Sequence, residues 1–276
     1  MEHRSSHSST GGRHMPSQVV ASDTGQPGLV QSVALEFAKA RRKHLWLASL
    51  GLLAFQFAWL VAGASNTVRH NPDFDGILYM LPQLNAIVLP LLCAIVASTV
   101  TDVENRANMW KLLLTMEDAR RVVAAKWAAC LLILAVVVGV QTAGVAAVAY
   151  GIGFQQNLPG PALLARYALS TFVVCAMLIT IVQAVCLATA NQFAPMIVGV
   201  GLCFLGLFIA YLPPVFSWFV PSAYFFVCRL VDGAYDASQH MRFWAAPFPA
   251  AGLAVCVAVT VAAFIASRRA FAAREL

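Results

Sequence analysis

The 276-residue chain is 60% hydrophobic and 11% charged, with a mean hydropathy of +0.75. Soluble domains carry roughly 25% charged residues, so the solvent of this chain is mostly lipid. A net charge of +6 and a pI near 9.1 would suit nucleic acid, but the basic residues flank the hydrophobic runs, where membrane topology places them, and nucleic acid is set aside as a partner.

Residues 1–28, rich in Ser, Gly and His and without the apolar core of a signal peptide, are predicted to form a disordered cytoplasmic tail. Residues 29–276 then form one membrane domain. In the stretch 29–44, Val30, Val33, Ala34 and Phe37 follow i, i+3, i+4, i+7 spacing while Lys39, Arg42 and Lys43 point away, as in a helix lying in the membrane interface. A helix that crosses about 30 Å of hydrocarbon needs roughly 20 apolar residues, which predicts spans near 45–64, 78–101, 123–150, 163–188, 195–212 and 246–266. The expected fold is therefore an all-α polytopic membrane protein with six spans.

Fourteen of the eighteen Lys and Arg fall on one side if the N-terminus is cytoplasmic, and Arg69, Arg166, Arg229 and Arg242 fall on the other, so both termini are expected in the cytoplasm. The long internal segment is then 102–127, DVENRANMWKLLLTMEDARRVVAAKW. Thr115-Met116-Glu117-Asp118 has capping-box spacing, so a helix is predicted to start at Met116 and run into span three, with Lys126 and Trp127 at the lipid boundary. Upstream, Asn108 to Leu114 would expose Met109, Trp110, Leu112 and Leu113, and apolar side chains on a short cytoplasmic helix need a partner: lipid headgroups, the protein's own core or another subunit.

The segment 212–244 is broken by Pro213, Pro214 and Pro221, and its Trp218, Phe219, Tyr224, Phe225 and Phe226 are too apolar for a free loop. It is read either as short helices dipping into the outer leaflet or as a half-length seventh span. Polar positions inside the spans are neutral: Gln56, Gln83, Asn85, Gln141 and Gln183. Such amides more often join helices than bind substrate. Gln83 and Asn85 lie two residues apart on a helix and so point to different faces, which lets at most one of them face a seam between subunits. The span interiors are read as free of ionisable groups, which disfavours an ion-coupled secondary transporter. The seven cysteines are scattered singly, the six histidines fall in tails, loops or interfaces, and no GxSxG, HExxH or phosphate-loop motif occurs. No catalytic residue and no metal site are expected in this chain.

A membrane protein with no chemistry of its own, but with a docking-like internal segment, points to energy supplied by a separate subunit. The pattern Glu104-x5-Trp110-Lys111-x-Leu113-Leu114-Thr115, followed by Arg120, Arg121 and Lys126 entering a span, resembles the first cytoplasmic loop of ABC-2-type transporter permeases. Within that family it is most similar to the lantibiotic-protection and bacitracin-resistance branch. The resemblance implies a coupling helix seated in a groove of an ATP-binding subunit, with Glu104, Arg106, Met109, Trp110, Lys111, Leu112, Leu113, Arg120 and Arg121 as contacts. It implies an N-terminal elbow helix at 29–44 and short extracellular helices between spans five and six. It further implies a second permease subunit, ATP and Mg bound by the partner chain, and a bacterial cytoplasmic membrane. Gln83, Asn85, Gln141 and Gln183 are then candidates for the translocation path. A path lined by neutral amides and apolar groups suits an amphipathic cargo, such as an antimicrobial peptide or a lipid. Two rival readings are a membrane scaffold independent of any ATPase and a lipid or polymer export permease.

Overall fold

The computed structural model describes Val33, Phe37 and residues 45–70, 73–106, 119–189, 193–236 and 241–272. Long runs of Leu, Ala, Val and Ile close their backbone hydrogen bonds within helices, the only open-ended element that satisfies its own polar groups in lipid. In chain order these are α1 (Leu45–His70), α2 (Asp75–Arg106), α3 (Ala119–Gly151), α4 (Pro161–Ala188) and α5 (Phe193–Ile209). Two 3-10 turns, Pro214–Trp218 and Pro221–Ala223, lead into the one-turn α6 (Tyr224–Val227). Strands β1 (Val231–Tyr235) and β2 (Met241–Ala245) follow, and α7 (Ala250–Ala272) completes the described order.

Among the described residues five helices, α1 to α4 and α7, are long and apolar enough to cross a membrane. The predicted fifth span, 195–212, is instead the 17-residue α5, about 26 Å long, which ends at Ile209 ahead of Pro213 and Pro214. α2 and α4 are the central pair, with 72% and 67% of their most apolar stretches buried, whereas α1 and α7 bury only 28% and 22% and lie at the periphery of the subunit. The expected elbow at 29–44 lies largely outside the described residues; Val33 and Phe37 are helical, and the Phe37 ring meets Trp46 edge-on at 5.9 Å.

α2 is the element that every neighbour reads. Pro82 and Pro90 sit inside it, and each removes a backbone donor, which frees the carbonyl four residues earlier. One of those is the carbonyl of Ala86, and α5 uses it. The place a Cβ would take on Gly206 is 2.6 Å from the Ala86 oxygen, and on Gly199 it would run into the Ala94 methyl. Only glycine permits this approach, in which backbone packs on backbone as small residues allow between membrane helices.

The end of the bundle that holds the start of α2 is closed by a clasp. The Asp73 carboxylate accepts the Asp75 N–H at 3.0 Å and so caps α2, the Phe74 N–H donates to the Gln156 carbonyl at 3.1 Å, and the Phe74 and Phe154 rings meet edge-to-face at 5.1 Å. Asn157, at φ 52°, donates to Asp73 Oδ1 at 3.0 Å and to Asp75 Oδ2 at 2.8 Å. The α1–α2 connection is thereby tied to the α3–α4 connection.

On the same end stands an element absent from the all-α expectation. β1 and β2 form an antiparallel hairpin in the register Val231↔Ala245 to Tyr235↔Met241. Phe243 of β2 lies 5.7 Å from Tyr79 of α2, which seats the hairpin on the first turns of that helix. The short helical pieces expected in 212–244 are present, and Ala223, Tyr224 and Phe225 are buried among α2, α4 and α5 as a wedge.

Candidate functional site

The apolar interior divides into two clusters. One is built on Leu53, Leu89, Val138 and Val174, the other on Leu60, Leu81, Val145 and Tyr167. Between them, on four helices, a polar layer is sealed in. The Asn85 side-chain oxygen accepts Nε2 of Gln56 at 2.8 Å and Nε2 of Gln141 at 2.7 Å, while its own amide donates to the Tyr167 hydroxyl at 3.1 Å. All four residues are buried. Both lone pairs of the Asn85 oxygen are therefore taken by N–H groups, and one side chain of α2 holds α1, α3 and α4 in register. Gln56 Oε1, Gln141 Oε1 and, one turn beyond Tyr167, Ser170 Oγ are buried acceptors without a protein partner. A cavity of about 20 Å³, large enough for about one water, adjoins this layer; its lining includes Asn85, Tyr167, Ser170, Thr171, Phe225 and Arg229.

The four amides singled out from sequence thus part company. Asn85 and Gln141 meet; Gln183 is buried about 24 Å further along α4 than Tyr167 with its Nε2 unpaired, and Gln83 is half-buried on another face of α2 from Asn85. Tyr167 was missed, because a single tyrosine in an apolar run reads as part of the run. Gln56 was noted as polar but not as a member of the site.

At the opposite end of the bundle, α2 and α3 are 32 and 33 residues long, about 48 and 50 Å, well beyond the hydrocarbon thickness of about 30 Å. The surplus carries Glu104 and Arg106 on α2 and Arg120 and Arg121 on α3, and the segment 107–118 joins the two. Met109, Trp110, Lys111, Leu112 and Leu113, with the capping box, lie outside the described residues, as do the side chains of Glu104, Arg106 and Arg120; Arg121 is exposed.

One residue there differs from the exposed lysine expected at a lipid boundary. Lys126 is fully buried within the protein, and its ammonium donates to the Val100 carbonyl of α2 at 3.0 Å. An ionisable side chain is thus packed inside the apolar stretch Arg121–Gly151. Its stem packs in the apolar seam while its head is hydrogen-bonded, as a buried ammonium must be. Next to it Trp127 donates to Thr180 Oγ1 of α4 at 2.9 Å and stacks 4.6 Å from Phe264 of α7, over which Arg268 lies at 5.5 Å. The end that carries 107–118 is thus a strut: two overlong helices, pinned to each other by Lys126 and to α4 and α7 by Trp127. Among the described residues no group of three or more His, Cys, Asp or Glu side chains could hold a metal ion.

A family model described as ABC-2 family transporter protein matches residues 32–210, which takes in α1 to α5, the strut and the polar layer. The chain belongs to the ABC-2 transporter family. It is a multi-pass membrane protein, and the family assignment makes it a permease component of a transporter. No curated protein matches it. The ABC-2 match ends where α5 ends, so the wedge, the hairpin and α7 lie beyond it.

Proposed function

We propose that this chain is the membrane subunit of an ABC exporter, in which a separate ATP-binding subunit drives export of an amphipathic cargo. The observation that carries this reading is the strut: a segment with Trp110 and Leu113 at its centre stands on two helices that outrun the bilayer and are pinned together by Lys126 and the Val100 carbonyl. Closure of the ATP-binding subunits against 104–121 would then move α2 and α3 as one body, through contacts of Glu104, Arg106, Met109, Trp110, Lys111, Leu112, Leu113, Arg120 and Arg121. ATP and Mg belong to that partner, a second permease subunit, identical or different, completes the transporter, and α5 serves as the sixth crossing. Both termini face the cytoplasm of a bacterial cell. Gln83, on the outward-turned face of α2, is the candidate for the seam between subunits, while Asn85, Gln141 and Gln183 act from inside the subunit on how the path opens.

Loss of a buried aromatic anchor commonly costs about 2 kcal/mol or more at an interface. Trp110→Ala and Leu113→Asp should therefore leave the subunit inserted but reduce both co-purification with the ATP-binding subunit and cargo-stimulated ATP hydrolysis. Unchanged complex yield and hydrolysis in both variants would sink the coupling role. For the cargo, an antimicrobial peptide is favoured over a lipid by the resemblance of the 104–126 segment to permeases of the peptide-antibiotic branch; peptide-sensitivity assays on cells with and without the transporter distinguish the two.

A further inference from the structure

The end of the bundle away from the strut carries a second cavity, of about 230 Å³, lined by Pro214, Ser217, Trp218, Phe226, Arg229, Asp232 and the 246–249 turn. Every one of its lining residues lies after residue 210, where the family match stops, so the assignment to ABC-2 transporters says nothing about it.

Three features define what it would take. Its surroundings are apolar and exposed: Tyr211, Val215, Phe216, Phe219 and Phe248 face outward beside the mouth. A surface of this composition belongs at the bilayer interface, where aromatic side chains settle, so the mouth opens at headgroup level. Its interior is mixed: among apolar walls such as Trp218, Phe226 and Val227 it holds Arg229 and Asp232, joined as an ion pair across one turn of chain, with Ser217 as a further polar lining residue. Its wall is built to last: Arg166 of α4 donates to the carbonyls of Ala246 and Pro247 at 3.0 and 2.5 Å and lies over the Phe248 ring at 5.6 Å, which fixes the 246–249 turn.

One cation and one anion within a pocket at headgroup depth are complementary to a ligand that carries both signs. We propose that this cavity binds the zwitterionic headgroup of a phospholipid, a phosphate joined to a primary ammonium, in the leaflet on the hairpin side. The Arg229–Asp232 pair closes through the guanidinium Nε, so the two terminal nitrogens of the fork suit a phosphate, which guanidinium binds in bidentate fashion. The Asp232 carboxylate has lone pairs beyond the one that meets Arg229 and accepts the ammonium. A quaternary ammonium has no N–H to donate there, and an anionic headgroup sets its charge against Asp232. The volume suits a headgroup and excludes a peptide, and acyl chains would run outward over Phe216 and Phe219. Arg229 also lines the small cavity beside Asn85 and Tyr167, so the occupied pocket would sit directly against the polar layer.

The binding test needs neither ATP nor a partner subunit, so its failure leaves the permease reading untouched, and the reverse also holds. The purified chain is exposed to equimolar phosphatidylethanolamine, phosphatidylcholine and phosphatidylglycerol with matched acyl chains, and retained lipid is counted by native mass spectrometry. Phosphatidylethanolamine should be retained about tenfold over the other two, the effect of one charge-assisted hydrogen bond. Arg229→Ala should abolish that retention, Asp232→Asn should erase the preference over phosphatidylglycerol, and Arg229→Lys, which keeps the cation, should preserve the preference over phosphatidylglycerol. Free phosphoethanolamine in a parallel arm tests the source: binding without acyl chains identifies a soluble ligand of the same chemistry and overturns the lipid, while binding of the lipid alone supports it. Equal retention of the three lipids by the wild-type chain, or unchanged retention in Arg229→Ala and Asp232→Asn variants whose melting temperature matches wild type, would overturn the proposal.

Discussion

α2 meets its neighbours through two unlike seams. Against α5 it is bare, with Gly199 and Gly206 bringing backbone onto Ala94 and Ala86. Against α1, α3 and α4 it is wired, with Asn85 gathering Gln56, Gln141 and Tyr167 around one amide. In lipid there is no gain from hiding apolar surface, so helices are held by close van der Waals fit or by hydrogen bonds that hydrocarbon cannot replace. The first seam tolerates no added atom, whereas the second tolerates change as long as every polar group is answered.

Gly206→Val should have the largest effect, because the new methyls would have to push against the Ala86 backbone rather than a movable side chain. A cost of about 3 kcal/mol or more is expected, seen as a lower melting temperature or loss of monodisperse protein in detergent. Gly201→Val on the same helix, where a Cβ meets open space, should change stability by less than about 0.5 kcal/mol. Equal losses in the two variants would show that α5 is held by something other than this contact.

Asn85→Leu strips three hydrogen bonds at once and strands two Gln donors, for a loss of about 2 kcal/mol at the roughly 0.6 kcal/mol typical of such bonds in membranes. Combining it with Gln56→Leu and Gln141→Leu should recover at least half, since removing both partners of a buried bond is far cheaper than removing one. If the triple variant is worse than the single one, the layer is not an independent network.

Lys126→Met keeps the stem and removes the charged donor to the Val100 carbonyl, for about 1.5 kcal/mol of stability. Its sharper readout is spectroscopic. Paired spin labels on α2 and α3 near the strut should show a broader distance distribution in the variant than in the wild-type chain. Within the polar layer the smallest effect is expected for Tyr167→Phe, about 0.6 kcal/mol, because Asn85 keeps both of its Gln partners.

Much of this plan was legible in the sequence, and its limits are physical. Hydrocarbon demands runs of apolar residues, so four spans were placed over the cores of α1 to α4, but the polar overhangs to His70 and Arg106 escaped because a helix that leaves the bilayer no longer needs hydropathy. Asn85 and Gln141 stood out as amides in apolar runs, yet their meeting depends on how helices rotate against each other, which periodicity does not record. The burial of Lys126 could not be read because a lysine at a span's end carries one signature for two fates, facing headgroups or capping a neighbour's carbonyl. The hairpin was invisible for a similar reason: Val231-Asp232-Gly233-Ala234-Tyr235 lacks the alternation of a half-buried strand, and Phe243 on Tyr79 holds it instead.

The clasp of Asp73, Asp75, Gln156 and Asn157 gives the bundle a fulcrum. With two inter-helix turns fastened at one end and Lys126 pinning α3 to α2 near the other, the two helices would tilt together about the clasp as one lever. With arms of about 48 Å, each degree of rotation about the clasp displaces the far tips by about 0.8 Å. A few degrees would then carry the strut through a distance comparable to a side chain's width, while the turns that hold Phe74 against Phe154 scarcely move.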